Sequence, residues 1–254
     1  MEAKHMNSFI PWIGGKRLLR KTILQHFPEG KPSRYIEPFG GAGWVLFSKD
    51  NHAELEVYND SNSQLVSLFR CAKYHTEELV KEIDSLCLNS RELFETFKEY
   101  QNANGFTDIQ KAAMFYLIIR ISYGADRRTF GCSKKNILDK TEFLYKVKVR
   151  LKNVVIENRD FEKVIKNYDR PKALIYLDPP YHGTEKYYDE AFNENDHVRL
   201  YNVLSTISGR FILSYNNDDF IKTLYKNYSI TNVNRQNNLS NKGIVFKELI
   251  IKNY

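Results

Sequence analysis

Arg34-Tyr35-Ile36-Glu37-Pro38-Phe39-Gly40-Gly41-Ala42-Gly43 decides the fold. An apolar run ends in an acidic residue and a proline, and a glycine-rich turn follows at once. Trp44 to Lys49 then reads as the start of a helix. Glu54-Leu55-Glu56-Val57-Tyr58-Asn59-Asp60 alternates in polarity and closes on a second carboxylate, the signature of a half-buried strand. Strand, glycine turn, helix and strand with a terminal carboxylate make the first half of a dinucleotide-type α/β fold.

Upstream, Pro11-Trp12-Ile13-Gly14-Gly15-Lys16 is a turn that opens a helix expected over Lys16 to His26. Downstream the pattern turns helical. Glu77 to Leu88 and Ser90 to Gln101 carry apolar residues three and four apart, and Thr107-Asp108 is a cap for a buried helix from Ile109 to Ile119. A loop is expected from Tyr123 to Asn136. Strand–helix alternation resumes at Asn153. Strands are expected at Val154–Asn158, Ala173–Leu177 and Arg210–Ser214, and helices at Asp160–Asn167, Asp196–Ser208 and Asp218–Lys226. Tyr228–Asn232 and Phe246–Ile251 suit an antiparallel hairpin at the sheet edge. The reading is a mixed, mostly parallel sheet in an α/β core, residues 1–64 and 153–254, split by a largely helical insert, residues 65–152.

The chain has 254 residues, 42% of them hydrophobic and 14% aromatic, enough to build a core without staples and far from a disordered composition. Cys71, Cys87 and Cys132 form no CxxC pair and the six histidines show no ligand spacing, so no metal is expected. The first residues lack an apolar signal region, and the run Ala112 to Ile119 stops at Arg120, too short to span a bilayer. A cytoplasmic protein is expected; a monomer is slightly favoured over an oligomer. The net charge of +7 suggests a polyanionic partner. It concentrates in residues 120–152, which hold ten basic side chains against three acidic ones, while the remainder of the chain is balanced. Arg127, Arg128, Thr129 and Phe130 fall in the expected loop, a place for base contacts or wedge insertion. Arg120, Lys134 and Lys135 join Arg127, Arg128 and Phe130 as candidate contacts to double-stranded DNA.

The sharpest chemical signal is Asp178-Pro179-Pro180-Tyr181 at the end of an apolar strand. The exocyclic amine of adenine is a poor nucleophile because its lone pair is delocalised into the ring. A carboxylate and a backbone carbonyl accepting both N–H protons draw that nitrogen towards sp³ and aim its lone pair. Proline fixes the backbone φ and offers no N–H, so carbonyls are left to accept. An aromatic fourth residue can stack on a base taken out of the duplex. Asp178 and the Pro179 carbonyl are the expected acceptors, and Tyr181 the stacking wall.

Here the sequence resembles the DNA adenine-N6 methyltransferases of the Dam-like, D12 class. Pro11-Trp12-Ile13-Gly14-Gly15-Lys16-Arg17 looks like their W-x-G-G-K motif, Tyr35 to Gly43 like E-P-F-x-G-G-G, and Val57 to Asn62 like I-N-D-x-N. Arg159-Asp160-Phe161 looks like their D-F element, and Leu213-Ser214-Tyr215-Asn216 with Lys247 to Tyr254 like the last core strands. The motif order is the family's α arrangement. The resemblance implies a Rossmann-like methyltransferase core that uses S-adenosyl-L-methionine and releases S-adenosyl-L-homocysteine. By motif position it implies Trp12, Lys16, Glu37, Phe39, Gly41, Gly43, Asp60, Asp160, Phe161 and Asp178 as cofactor-contacting residues, with the insert as target-recognition domain. Asp60 would take the ribose hydroxyls, Lys16 the methionine carboxylate, Glu37 the α-amino group and Asp160 the cofactor's adenine amine. Arg128-Thr129-Phe130-Gly131-Cys132-Ser133 lacks the Asn and Pro of the element tied to GATC recognition and is nearer to phage and prophage members. Adenine methylation in a restriction–modification or phage setting is therefore expected, while GATC specificity is not implied.

Two other readings share some of these features. An amino-methylating enzyme acting on RNA or on protein glutamine tends to carry Asn where this chain has Asp178, and no large basic insert. A degenerate DNA-binding module would not keep Trp12, Lys16, Asp60 and Asp178 together. Cytosine-C5 chemistry is excluded because no Pro-Cys pair supplies the nucleophile.

Overall fold

The computed structural model describes residues 6–86, 90–131, 141–183, 192–236 and 245–254. The chain forms two compact units. The first comprises residues 1–15, 41–50 and 62–156, the second residues 16–40, 51–61 and 157–254.

The second unit is built on the sheet. Its elements are α1 (Arg20–Gln25), β1 (Arg34–Glu37) and β2 (Leu55–Asn59), then α7 (Phe161–Tyr168), β4 (Ala173–Leu177), α8 (Glu194–Leu204), β5 (Arg210–Asn216), α9 (Asp219–Leu224), β6 (Ser229–Gln236) and β7 (Val245–Lys252). With β3 (Val154–Glu157), in which the boundary between the units falls, the seven-stranded sheet runs β3-β2-β1-β4-β5-β7-β6. β2, β1, β4 and β5 are parallel; β7 runs antiparallel to β5 and to β6. All five residues of β4, Ala-Leu-Ile-Tyr-Leu, are buried, as an apolar strand covered on both faces must be. Tyr228–Asn232 and Phe246–Ile251 do form the antiparallel edge hairpin, each strand somewhat longer than expected.

The first unit is helical: α2 (Ser63–Tyr74), α3 (Thr76–Leu86), α4 (Arg91–Tyr100), α5 (Asp108–Ile121) and α6 (Phe143–Leu151). α5 carries the expected cap, a reciprocal pairing of Thr107 and Gln110. Nine of its residues, from Ala112 to Ile121, are buried, and it packs against α2, α3 and α4. A helix apolar on every side has no face to offer water and must sit inside.

Several expected boundaries are corrected. Lys16 to Leu19 form turns and α1 starts only at Arg20; the Lys16 carbonyl accepts the N–H groups of Leu19 and Arg20. Trp44–Lys49 gives a single 3-10 turn, Leu46–Ser48, ended by extended Lys49. α8 begins and ends earlier than Asp196–Ser208, because Asn193 is the cap and Asp196 closes its capping box. Asn62 caps α2 by accepting from the Leu65 N–H at 2.8 Å. Among the described residues, no helix is long and apolar enough to cross a membrane, and no group of three or more His, Cys, Asp and Glu could hold a metal ion.

Candidate active site

In the second unit, parallel register brings the ends of β2, β1, β4 and β5 to one edge. Leu177 pairs with Leu213, so Asp178, the next residue, falls beside Ser214, whose hydroxyl donates to Asp178 Oδ1 at 3.0 Å. Lys16 Nζ meets the same oxygen at 2.7 Å; Lys16 is 5% exposed and Asp178 18%. The ammonium also lies 4.6 Å from the Tyr181 ring centroid. Tyr181 donates its hydroxyl to Glu248 on β7 at 2.8 Å. Lys16, Asp178, Tyr181, Ser214 and Glu248 thus form one connected cluster around the proline turn, in which Pro179 is buried and Pro180 half-buried.

Burial pushes the Asp178 carboxyl above the usual aspartate range. The Lys16 ammonium and the Ser214 hydroxyl pull it down without cancelling that effect, and the nearby Glu248 charge adds to the rise. Burial also raises the Tyr181 phenol far above its ordinary value, reinforced by the charges of Asp178 and Glu248, so it stays a neutral donor. Activity that needs the Asp178 carboxylate must therefore climb with pH through a raised acid limb. Lys16→Met removes the cation that holds the carboxyl down. In the free protein the Asp178 carboxyl of this variant is expected to titrate higher than in wild type, read by carboxyl-carbon NMR. A profile superimposable on wild type would refute the coupling.

The other carboxylates lie on neighbouring strands of this unit. Glu37 ends β1, is buried, and accepts from the Tyr35 hydroxyl at 2.6 Å. Asp60 follows β2 and is half-buried. Asn59 organises this edge: its amide donates to Pro38 O at 2.8 Å and Arg159 O at 3.0 Å, and accepts from Arg159 N. The Gly40 N–H donates to Asn59 O at 2.7 Å. A Cβ on Gly40 would stand 2.3 Å from the Tyr58 ring, so only glycine permits this approach. Phe39 packs on Phe161 at 5.2 Å and on Phe192 at 5.8 Å. Asp160 is 37% exposed, caps α7 through Glu162 N–H, and takes Arg199 Nη2 on both oxygens at 3.0 Å. His182 follows the motif and pairs with Asp218 at 3.1 Å.

The remaining sequence candidates belong to the first unit. Gly41 and Gly43 turn the chain with φ of +48° and +66°. The half-buried Trp12 meets Phe115 edge-on at 6.4 Å, and Arg127 lies over its ring. Residues 122–130 close a hairpin-like loop through an antiparallel bridge between Ser122 and Phe130. Arg128 is exposed and Arg120 lies over the Tyr116 ring. Phe130 is half-buried against Phe94 at 5.8 Å, with Arg91 over its ring. Lys134 and Lys135 lie outside the described residues. Arg150, counted with the basic segment, is turned inward: it is 9% exposed and donates to Lys49 O and Leu46 O, both at 2.7 Å.

The sequence reading did not single out Ser214, Glu248, Arg199 or Tyr123 as site residues. Tyr123 is 74% exposed in the loop, and an aromatic in a loop between basic residues was the available signal. Nothing local marks Ser214 or Glu248, whose partners lie 36 and 67 residues away.

Acidic side chains stand at the carboxyl ends of adjacent parallel strands, beside the Asp-Pro-Pro-Tyr turn, the edge at which open α/β sheets bind ligands. Residues 12–239 match the D12 class N6 adenine-specific DNA methyltransferase family. The chain is 29% identical to the Type II methyltransferase M.MjaIII of Methanocaldococcus jannaschii, over 97% of this chain and 98% of that one. It is 25% identical to the Type II methyltransferase M.CviBI of Paramecium bursaria Chlorella virus NC1A, over 98% and 100%. It is 28% identical to the DNA adenine methylase of Escherichia coli K12, over 70% and 66%. The chain belongs to the D12 class of N6 adenine-specific DNA methyltransferases.

Proposed function

We propose that the chain transfers a methyl group from S-adenosyl-L-methionine to N6 of an adenine turned out of double-stranded DNA. The observation that carries this reading is the half-buried Asp178 carboxylate, which follows β4 and is held by Ser214 and Lys16 in the Asp-Pro-Pro-Tyr turn. The donor set suits the cofactor: Glu37 and Asp60 offer carboxylates to an amine and to ribose hydroxyls at neighbouring strand ends, with Phe39 and Phe161 as aromatic wall. Gly41 and Gly43 hold positive φ, a backbone that other residues rarely adopt. Asp160, committed to Arg199, would act on the cofactor's adenine only by sharing that pair. Bound S-adenosyl-L-methionine supplies an electrophilic methyl.

The protein's part is positioning and charge. Asp178 Oδ and the Pro179 carbonyl accept the two N6–H protons, and Tyr181 stacks on the ring. Direct transfer follows, with no covalent enzyme intermediate. Lys16 now holds Asp178 as an adenine amine would, so it must give up that oxygen when the base enters. Residues 65–152 act as the recognition region. The exposed Tyr123 is better placed than the packed Phe130 to stack into an opened duplex.

Methylation-aware long-read sequencing of DNA from a methylation-free host expressing the chain tests the reading. Modified adenine at one motif is expected; unmodified DNA overturns it. Parallel assays on RNA and protein separate the alternatives. For the duplex contact, the triple variant Arg128→Glu, Lys134→Glu, Lys135→Glu is expected to weaken DNA binding roughly tenfold or more at low salt. Cofactor affinity should not change. Unaltered duplex affinity would identify the segment as a solvated face.

A further inference from the structure

The indole of Trp12 is boxed in by residues of the first unit. Phe115 of α5 meets it edge-on, a Cβ on Gly41 would approach its Cδ1 to 3.2 Å, and Arg127 Cζ lies 4.4 Å from its ring centroid. Arg127 reaches that position through a strained backbone. Its φ is +60° and that of Ala125 is +62°, two non-glycine residues in the left-handed region, where a Cβ crowds the following carbonyl. Such conformations persist only where the surroundings over-determine them, and they cluster at functional sites. Here the Asp126 carboxylate accepts the N–H groups of Arg128 and Thr129, both at 2.9 Å. Two backbone bonds of 2.7 Å, Tyr123 N–H to Thr129 O and Gly131 N–H to Ile121 O, close the loop. Burial would raise the Asp126 carboxyl, yet those N–H donors and the Arg128 charge hold it below its ordinary range.

The geometry points to Arg127 as the positioning residue for Trp12, so that the loop meeting the duplex also sets the affinity for S-adenosyl-L-methionine. This rests on the proposed function, with the loop as duplex contact and Trp12, by its motif position, as a cofactor-contacting residue. A guanidinium is planar: it stacks with its face and donates hydrogen bonds in its plane, where a phosphate or a guanine edge is met. One side chain can therefore hold the indole and the duplex together. Binding DNA immobilises Arg127 and with it Trp12, and the coupling is reciprocal: cofactor tightens duplex binding by the same factor as duplex tightens cofactor binding.

The test uses Trp44→Phe as background, which leaves Trp12 as the sole tryptophan. Acrylamide quenching of Trp12 and calorimetric cofactor binding, with and without duplex, are measured for Arg127, Arg127→Lys and Arg127→Ala. Arg127→Ala is expected to expose Trp12 to quencher, to raise the cofactor Kd roughly three- to tenfold, and to abolish the effect of duplex on it. Arg127→Lys keeps the charge without the plane and should fall between. Quenching and Kd unchanged in Arg127→Ala, beside cofactor binding by the parent, would overturn the positioning role and leave the proposed function standing. A parent that binds no cofactor would overturn both.

Discussion

Asp178→Ala should fold and lose methyl transfer by at least ~1000-fold, because the acceptor that aims the N6 lone pair is gone. Two opposed effects keep the fold in place. The substitution removes a carboxyl that burial already disfavours in its charged form. It also strips the counter-charge from Lys16, itself 5% exposed. Asp178→Asn keeps an oxygen acceptor without the charge, so its loss should be smaller. Tritiated methyl incorporation, read beside circular dichroism, gives the answer. Wild-type incorporation by folded Asp178→Ala would sink the mechanism.

The second large effect is on stability. Arg150 stands in the most basic stretch of the chain, yet its guanidinium satisfies the Lys49 and Leu46 carbonyls inside the helical unit. Arg150→Met retains the apolar stem and leaves both carbonyls without those donors. A loss of roughly 2–4 kcal/mol is expected, lowering Tm by on the order of 5–15 °C. The exposed Lys146→Met is the control and should change little. A thermal melt decides: equal Tm for Arg150→Met and wild type would refute the buried role.

Where the sequence reading succeeded, the signal was local. β4 was legible because an unbroken apolar run stops at Asp178-Pro179-Pro180, and proline cannot continue a ladder. α5 was legible from Thr107 and the apolar run behind it, and the edge hairpin from two β-rich runs close in sequence. Family motifs singled out Asp178 and Tyr181; both lie against Lys16, and their chemical roles belong to the proposed function. What escaped was of longer range. Ser214 and Glu248 reach the turn only because β5 pairs with β4, and β7 with β5, in a particular register. The end of α8 was overrun because apolar spacing continues past Leu204, while the helix stops at Ser205. Arg150 shows the limit of counting charge: composition gives the sign of a side chain and not the direction in which it points.

The uniformly apolar α5 has a consequence for where the protein can vary. Because α2, α3 and α4 bury it, the helical unit carries a core of its own. The loop from Tyr123 to Phe130 is tied to that core by a few backbone bonds, the Asp126 cap and the inward contacts of Arg127 and Phe130. Replacing exposed side chains such as Tyr123 or Arg128 costs the interior almost nothing. On the proposed function, a change of target sequence is drafted at the tip while the carboxylates at the sheet edge remain as they were.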